Sequence, residues 1–389
     1  MTGRERVLAA FRAEKPDSVP FCPNIYYWFY HHLITGRLPA DIARARHPFD
    51  VLRFLGADIL ARWDTQYATR EYFAGGEYCE EFSGATTVER PVVTAFNIYP
   101  PHTSVRRQKL VTPYGALTQR WTFSEQASAD FISEYWWKDW SEYKAIRFML
   151  ESTQYVFDAG EFRGWRARAG EDGVVMVHLT QSPLKTVHWL AGAENASLFL
   201  MDHPEEMKEL ARIHEEKALA LLAGIVDNPD AEVFVSRDNL DSAFYPPYFY
   251  RDYCDSFFTR AAEIIHSRGK IFVVHACGHN RVLMPLVGRS GVDCLEGLTP
   301  PPMGDVELSE ARRLAGIDRY VVNGGMDAPH LELAGDAEAG LHDYTRRLFE
   351  SMGDKRQFIF ASSCSTPAPT PWENLIYFRD AVREYGGIA

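Results

Sequence analysis

The chain lacks a basic block: 41 lysines and arginines against 53 acidic residues leave a formal charge of −12. Nucleic acid and anionic membrane are therefore poor partners. It also lacks any apolar run near the ~20 residues that span a bilayer; the strongest, "IFVVHACG" at 271–278, is far shorter. Cysteine is scarce, with 6 in 389 residues, at positions 22, 79, 254, 277, 294 and 364. That scatter excludes a disulfide framework and makes free thiols in a reducing cytoplasm the expectation. No Gly-x-Gly-x-x-Gly follows any apolar run, which removes the dinucleotide signature. The opening "MTGRERVLAAFRAEKPD" reads as an amphipathic helix with a Pro-Asp stop rather than a signal peptide.

What is present is alternation. Short apolar, β-rich runs at Val19–Ile25, Asp58–Trp63, Val174–Leu179, Glu232–Ser236, Ile271–His275, Val292–Gly297, Tyr320–Gly324 and Phe358–Ala361 predict strands. Helical patterns fill most gaps, at Glu142–Ala159, Pro204–Val226, Tyr248–Ser267, Asn280–Arg289, Leu308–Leu314, Glu338–Met352 and Pro371–Tyr385. Continuous apolar runs suit parallel strands buried on both faces. The pattern predicts a single α/β domain over 1–389, a (β/α)8 TIM barrel with an N-terminal helix. An open doubly wound sheet is the competing architecture. From Pro91 to Ser124 the alternation breaks into extended segments around a Pro-Tyr-Gly turn, which predicts a β-hairpin excursion over one rim.

A barrel carries its chemistry where strands end. Those ends bear Asn24 with Tyr26, Asp64, His178, Arg237 with Asp238, His275 with Cys277, Glu296, Asp327 and Cys364. Each alone has an ordinary explanation, since a strand-end Asp often caps the next helix. Cys22, Cys79, Cys254 and Cys294 are expected to be small buried hydrophobes. Cys277 lies two residues past His275, and Cys364 sits in the polar loop "ASSCSTPAPTP". Two thiolates and an imidazole would leave a tetrahedral zinc one open position, the arrangement of a catalytic site. By spacing alone, zinc and a pair of ordinary strand-end thiols both remain open.

At these residues the chain resembles the uroporphyrinogen decarboxylase superfamily, in particular its zinc-dependent, corrinoid-linked methyltransferase branch. The resemblance runs through "RVLAAFRAEKPDSVPF", "TPYGALTQRW", "SPLKTVHWLAGAENASLFLMDHPEEM", "SRDNLDSAFYPPYFY", "HACGHN" and "SCSTPAPTPWENLIYFRDAVREYG". It implies the barrel, and it implies zinc on His275, Cys277 and Cys364. It also implies methyl transfer between a small donor or thiol and a corrinoid. No Asp-x-His-x-x-Gly corrinoid motif occurs, so a separate corrinoid protein is the expected partner; a homodimer is one option for assembly.

The decarboxylase that names the superfamily grips a polycarboxylate with arginines on its first strand. Here "VPFCPNIYYWFYHHLITG" has no arginine between Arg12 and Arg37, so decarboxylation is the alternative rather than the expectation. A catalytically idle zinc- or ligand-binding barrel is another. Aromatic residues instead crowd the first and fourth strand ends, and a methoxylated aromatic donor is the leading expectation. Asn24, Tyr26, Trp28, His178 and Tyr245 are the candidate substrate contacts. Asp238 and Glu296, on the strands flanking that of His275, are the candidate acids, either as proton partners or as a displaceable fourth ligand. His279 is expected to orient its loop.

Overall fold

The computed structural model describes residues 1–62, 68–89, 91–94 and 97–388. Asp64 and the end of the second expected strand lie outside the described residues. The parallel strands are β1 (Ile59–Ala61), β2 (Gly173–Val175), β3 (Val177–His178), β4 (Val233–Leu240), β5 (Ile271–Ala276), β6 (Cys294–Leu298), β7 (Val321–Met326) and β8 (Phe358–Ser362). β1 pairs with β2, and β3 through β8 pair in sequence order. β2 and β3 form one barrel position interrupted at Met176, whose N–H reaches Ala61 O at 3.0 Å.

Closure falls to the segment around Phe21. It bridges Phe360 of β8 in parallel, and its carbonyl accepts the Asp58 N–H at 2.7 Å. The expected strand over Val19–Ile25 shrinks to this bridge because Pro20 and Pro23 flank it and offer no N–H to a ladder. The result is a closed (β/α)8 barrel.

Strand alternation decides what fills it. Cys22, Leu60, Met176, Val235, Val273, Cys294, Val321 and Ile359, one from each position, pack into a single interior cluster. Helix α1 (Gly3–Phe11) plugs the N-terminal end by adding Val7, Leu8, Ala10 and Phe11 to that cluster. A Thr2–Glu5 capping box starts the helix, and Arg6 ties it to Asp58 at 2.6 Å. Two residues onward on the same strand faces come Asn24, Arg62, His178, Arg237, His275, Glu296 and Asn323. The apolar floor thus gives way to a polar layer at the C-terminal mouth.

The excursion is wider than 91–124. Its four-stranded antiparallel sheet comprises Glu77–Ser83, Val105–Thr112, Gly115–Ser124 and Ala129–Glu134, with the Pro113-Tyr114 turn joining the middle pair. Thr69–Phe73 pairs with Thr153–Phe157. The helix expected over Glu142–Ala159 therefore ends at Ser152 and gives way to a strand. A helix absent from the sequence pattern, α2 (Pro183–Asp202), follows β3 behind the N-cap Ser182. Gly192, at φ 76°, breaks its periodicity where the Tyr135 ring leaves no room for a Cβ. Among the described residues, no helix is long and apolar enough to cross a membrane.

Candidate metal centre

His275 ends the inward face of β5, and Cys277 follows where the chain leaves the barrel. The Cys277 N–H is anchored on Leu240 O at 2.9 Å, and Asn280 Nδ2 donates to Cys277 O at 2.9 Å. Gly278, at φ 62°, makes the turn, and Asp241 occupies the space any Cβ there would need. The other half arrives from the loop after β8. Asn24 Nδ2 donates to Cys364 O, and its backbone N–H reaches Ser362 Oγ at 2.7 Å.

These anchors bring the three side chains together. Cys277 Sγ lies 3.2 Å from His275 Nε2 and 3.5 Å from Cys364 Sγ; Cys364 Sγ lies 3.9 Å from His275 Nε2. Tetrahedral zinc, with bonds of ~2.3 Å to sulfur and ~2.0–2.1 Å to nitrogen, sets neighbouring ligand atoms ~3.6–3.8 Å apart. The donor set and its spacing therefore fit that metal. Among the described residues this is the one cluster of three potential ligands with atoms mutually within 4.8 Å.

Behind the imidazole stands Glu296. Its Oε2 accepts from His275 Nδ1, and its Oε1 lies 2.8 Å from Arg62 Nη1, with both side chains almost completely buried. Burial favours the neutral acid, but Arg62 and His275 outweigh it and hold the Glu296 pKa below the usual carboxylate range. Burial likewise opposes charge on His275, yet Glu296 and Cys364 raise its pKa to about 10. The hydrogen bond shared by the thiols splits them: it holds the Cys364 pKa far below the usual thiol range, against burial, and raises that of Cys277. These directions favour an imidazolium–thiolate pair when no metal is bound, and metal would displace protons on binding.

The two expected acids part company. Glu296 buttresses the far edge of the imidazole. Asp238 instead turns to the start of α2, accepting from Ser182 N at 3.1 Å, Ser182 Oγ, and Ser236 Oγ at 2.6 Å. It is fully buried, and its hydrogen bonds go to Ser182 and Ser236 rather than to His275, Cys277 or Cys364. The physical reason is strand parity: Asp238 is one residue past Arg237, which continues the inward face of Val233 and Val235, so alternation turns it to the outer face. Substituting Asp238→Asn should leave metal content unchanged and cost about 1–3 kcal/mol of stability through the weakened Ser182 and Ser236 bonds. Metal analysis beside a denaturation curve checks both; loss of metal would return Asp238 to the site.

Among the expected substrate contacts, Asn24 positions the Cys364 loop. Trp28 is fully buried: its Nε1 donates to Thr370 O at 2.8 Å and its ring stacks on Trp372. Tyr245 is buried with its OH on Asp238 O at 2.8 Å, and Tyr26 packs edge-on against His47. These three rings are core; for Tyr26 and Trp28 the cause is the helix Tyr26–Thr35, which turns both inward together with Phe29. His178 Nε2 meets Arg62 O, and burial holds its pKa far below the ordinary value, so it is neutral. His279 is exposed on the loop, where its carbonyl accepts from Ser242 N at 2.8 Å. Of the cysteines set aside, Cys22, Cys254 and Cys294 are buried as expected; Cys79 is exposed on the excursion.

Sequence reasoning missed three residues. Arg62 directly follows β1 and pairs with Glu296; a basic residue closing the run "DILAR" was the available signal. Tyr27, half-buried, has its phenol pKa pushed up to about 12 by burial and by nearby Cys364, Asp130 and Cys277, partly offset by Arg237. Lys185 lies in the first turn of α2.

Curated protein sequences offer no match. Among solved structures, a methyltransferase from Methanosarcina mazei superposes with a TM-score of 0.59 at 13% identity, covering 99% of each chain. A psychrophilic family 10 endo-beta-1,4-xylanase reaches a TM-score of 0.35 at 12% identity, over 57% of this chain and 81% of its own, too loose to inform the fold. The first likeness bears on the fold alone and agrees with the closed barrel. Residues 100–385 match the family model described as uroporphyrinogen decarboxylase (URO-D), and the chain belongs to that family.

Proposed function

We propose that this protein is a zinc-dependent methyltransferase, moving a methyl group between a small methyl donor, foremost a methoxylated aromatic compound, and a corrinoid carried by a partner protein. The observation that carries the reading is the convergence of one imidazole and two thiols at the mouth, at separations that fit zinc. The barrel-wide likeness to the Methanosarcina mazei methyltransferase supports the same reading. Bound there, zinc would polarise a leaving oxygen or sulfur, or keep a thiol ionised at neutral pH.

The chain's own residues prepare that chemistry. Glu296 accepts the Nδ1–H hydrogen bond of His275, which fixes Nε2 toward the two sulfurs and raises the basicity of the ring. Arg62 keeps the Glu296 carboxylate ionised and still. Asn24 and Asn280 hold the two cysteine loops by their carbonyls, so both thiols meet the metal without reorganising. Two thiolates offset the divalent charge, so a bound leaving group or nucleophile is activated without being trapped.

The decarboxylase chemistry of the family's name finds less support. The segment around Phe21 supplies Asn24 and buried rings where a polycarboxylate would need cations. Leaving its carboxylates unpaired in the mouth would cost several kcal/mol each. Purified protein is expected to carry zinc and to demethylate methoxyarenes with cob(I)alamin as acceptor, and to leave uroporphyrinogen unchanged. Enzyme-like uroporphyrinogen turnover without methyl transfer would reverse this assignment.

A further inference from the structure

The two sulfurs of the centre are near enough to each other for a chemistry besides metal binding. All six cysteines are free thiols. Cys22, Cys254 and Cys294 are buried, and Cys79 is exposed on the excursion strand Glu77–Ser83. Among the described residues, Cys277 and Cys364 alone combine partial exposure with a second sulfur at hand, Sγ to Sγ at 3.5 Å.

The backbone favours a bond between them. Ala276 O and Ser363 O each stand 2.6 Å from the point that a Cβ on Gly297 would occupy. The two chain segments therefore meet over that glycine, one residue before each cysteine. Gly297, at φ 97°, has no side chain to hold them apart. Neither cysteine is inside a strand or helix: Cys277 follows β5 and Cys364 lies in the loop after β8. That loop is held at its backbone, where Asn24 O accepts the Thr366 N–H at 2.7 Å. A disulfide sets its sulfurs ~2.05 Å apart, so this pair has about 1.5 Å to close. Rotation of the two side chains supplies that distance while the backbone anchors stay in place.

We propose that Cys277 and Cys364 are a redox modification site, which a peroxide converts to a disulfide and thereby empties of metal. One thiolate attacks the peroxide, the O–O bond breaks, and a sulfenic acid and water result after uptake of one proton. The second thiolate attacks the sulfenic sulfur, the S–S bond forms, the S–O bond breaks, and a second proton leaves with the second water. Two electrons pass from the sulfurs to the peroxide. Both anionic ligands are then gone, and His275 alone is too little to retain zinc. A dithiol reductant returns the two electrons and two protons and reopens the site. The role of this change as an off state rests on the methyltransferase reading, whose low-valent cobalt acceptor also fails under oxidants; the cross-link does not.

Peroxide titrated into the zinc-loaded protein tests it. A chromogenic chelator reads released metal, and mass spectrometry of the unreduced digest reads the link. One zinc should appear for each 277–364 link, the linked peptides weighing two hydrogens less than the separate thiols. A dithiol with added zinc should restore both thiols and the metal. Cys79→Ser, which removes the exposed thiol far along the excursion, should behave as wild type. Cys364→Ser should leave Cys277 unlinked and open to oxidation to the sulfinic acid. Zinc release with both cysteines oxidised singly, or linked to Cys79 instead of each other, overturns the proposal. So does persistence of both thiols while Cys79 oxidises, or a link that a dithiol leaves intact. A 277–364 link in protein that never holds zinc upholds the thiol pair and rejects the metal centre. Link-coupled zinc release without methyl transfer to cob(I)alamin upholds the modification site and rejects the methyltransferase reading.

Discussion

Cys364→Ser protein, expressed with ample zinc and dialysed, should hold almost none, while wild type holds one zinc per chain. Serine keeps the size of cysteine but its hydroxyl stays protonated at neutral pH, so an anionic ligand is lost outright. Loss of an outer hydrogen-bond partner already costs ~10–100-fold in metal affinity; loss of a ligand should exceed that. Methyl transfer should vanish with the metal. The fold should survive, because the Cys364 side chain is outside the core clusters and Asn24 bonds the backbone carbonyl at that position, which serine retains. The metal-free variant should still unfold cooperatively, below metal-free wild type only by the thiol's interaction with His275 and Cys277 that serine weakens. Zinc-free wild type from the same expression would remove the metal centre altogether.

How far the sequence carries such an argument differs from residue to residue. His275 and Cys277 were legible because an unbroken apolar run delivers them to the end of a buried parallel strand. Cys364 followed from the same logic one loop after the last strand. Glu296 was legible as a neighbour, and β5 and β6 do pair His275 with Glu296. Which edge of the imidazole it would meet was not, since that depends on side-chain direction and on Arg62. Asp238 misled because its place at a strand end was weighed without its parity: one residue past Arg237, alternation turns it outward, to Ser182 and Ser236. The run "YYWFY" misled for another reason: with no polar face, it gives no helical period from which to choose the ring that reaches the mouth. Tyr27 is the ring whose phenol feels the charges of Cys364 and Cys277, whereas Tyr26 and Trp28 are core. The excursion was underestimated because its outer strands, such as "EYCEEFS", are polar and lack the alternation of a half-buried strand.

The second large effect concerns the carboxylate behind the histidine. Glu296→Gln keeps volume and a hydrogen-bond acceptor for His275 Nδ1, but it removes the charge that steadies the imidazole and that Arg62 faces at 2.8 Å. Two separable losses follow. Zinc affinity should fall ~10–100-fold, as for other partners of a ligating histidine. Stability of the metal-free protein should fall by about 3–5 kcal/mol, because a buried guanidinium is left without its counter-charge. The companion variant separates them. In Arg62→Met with Glu296→Gln the orphaned charge is gone, so most of the stability should return, while zinc affinity stays low because the imidazole still lacks its carboxylate. Competition with a chromogenic chelator reads the affinity, and denaturant unfolding of the metal-free proteins reads the stability. If Glu296→Gln retains wild-type zinc affinity, the carboxylate does not orient the ligand. If the double variant is no more stable than the single one, Arg62 and Glu296 are not the coupled pair that their geometry describes.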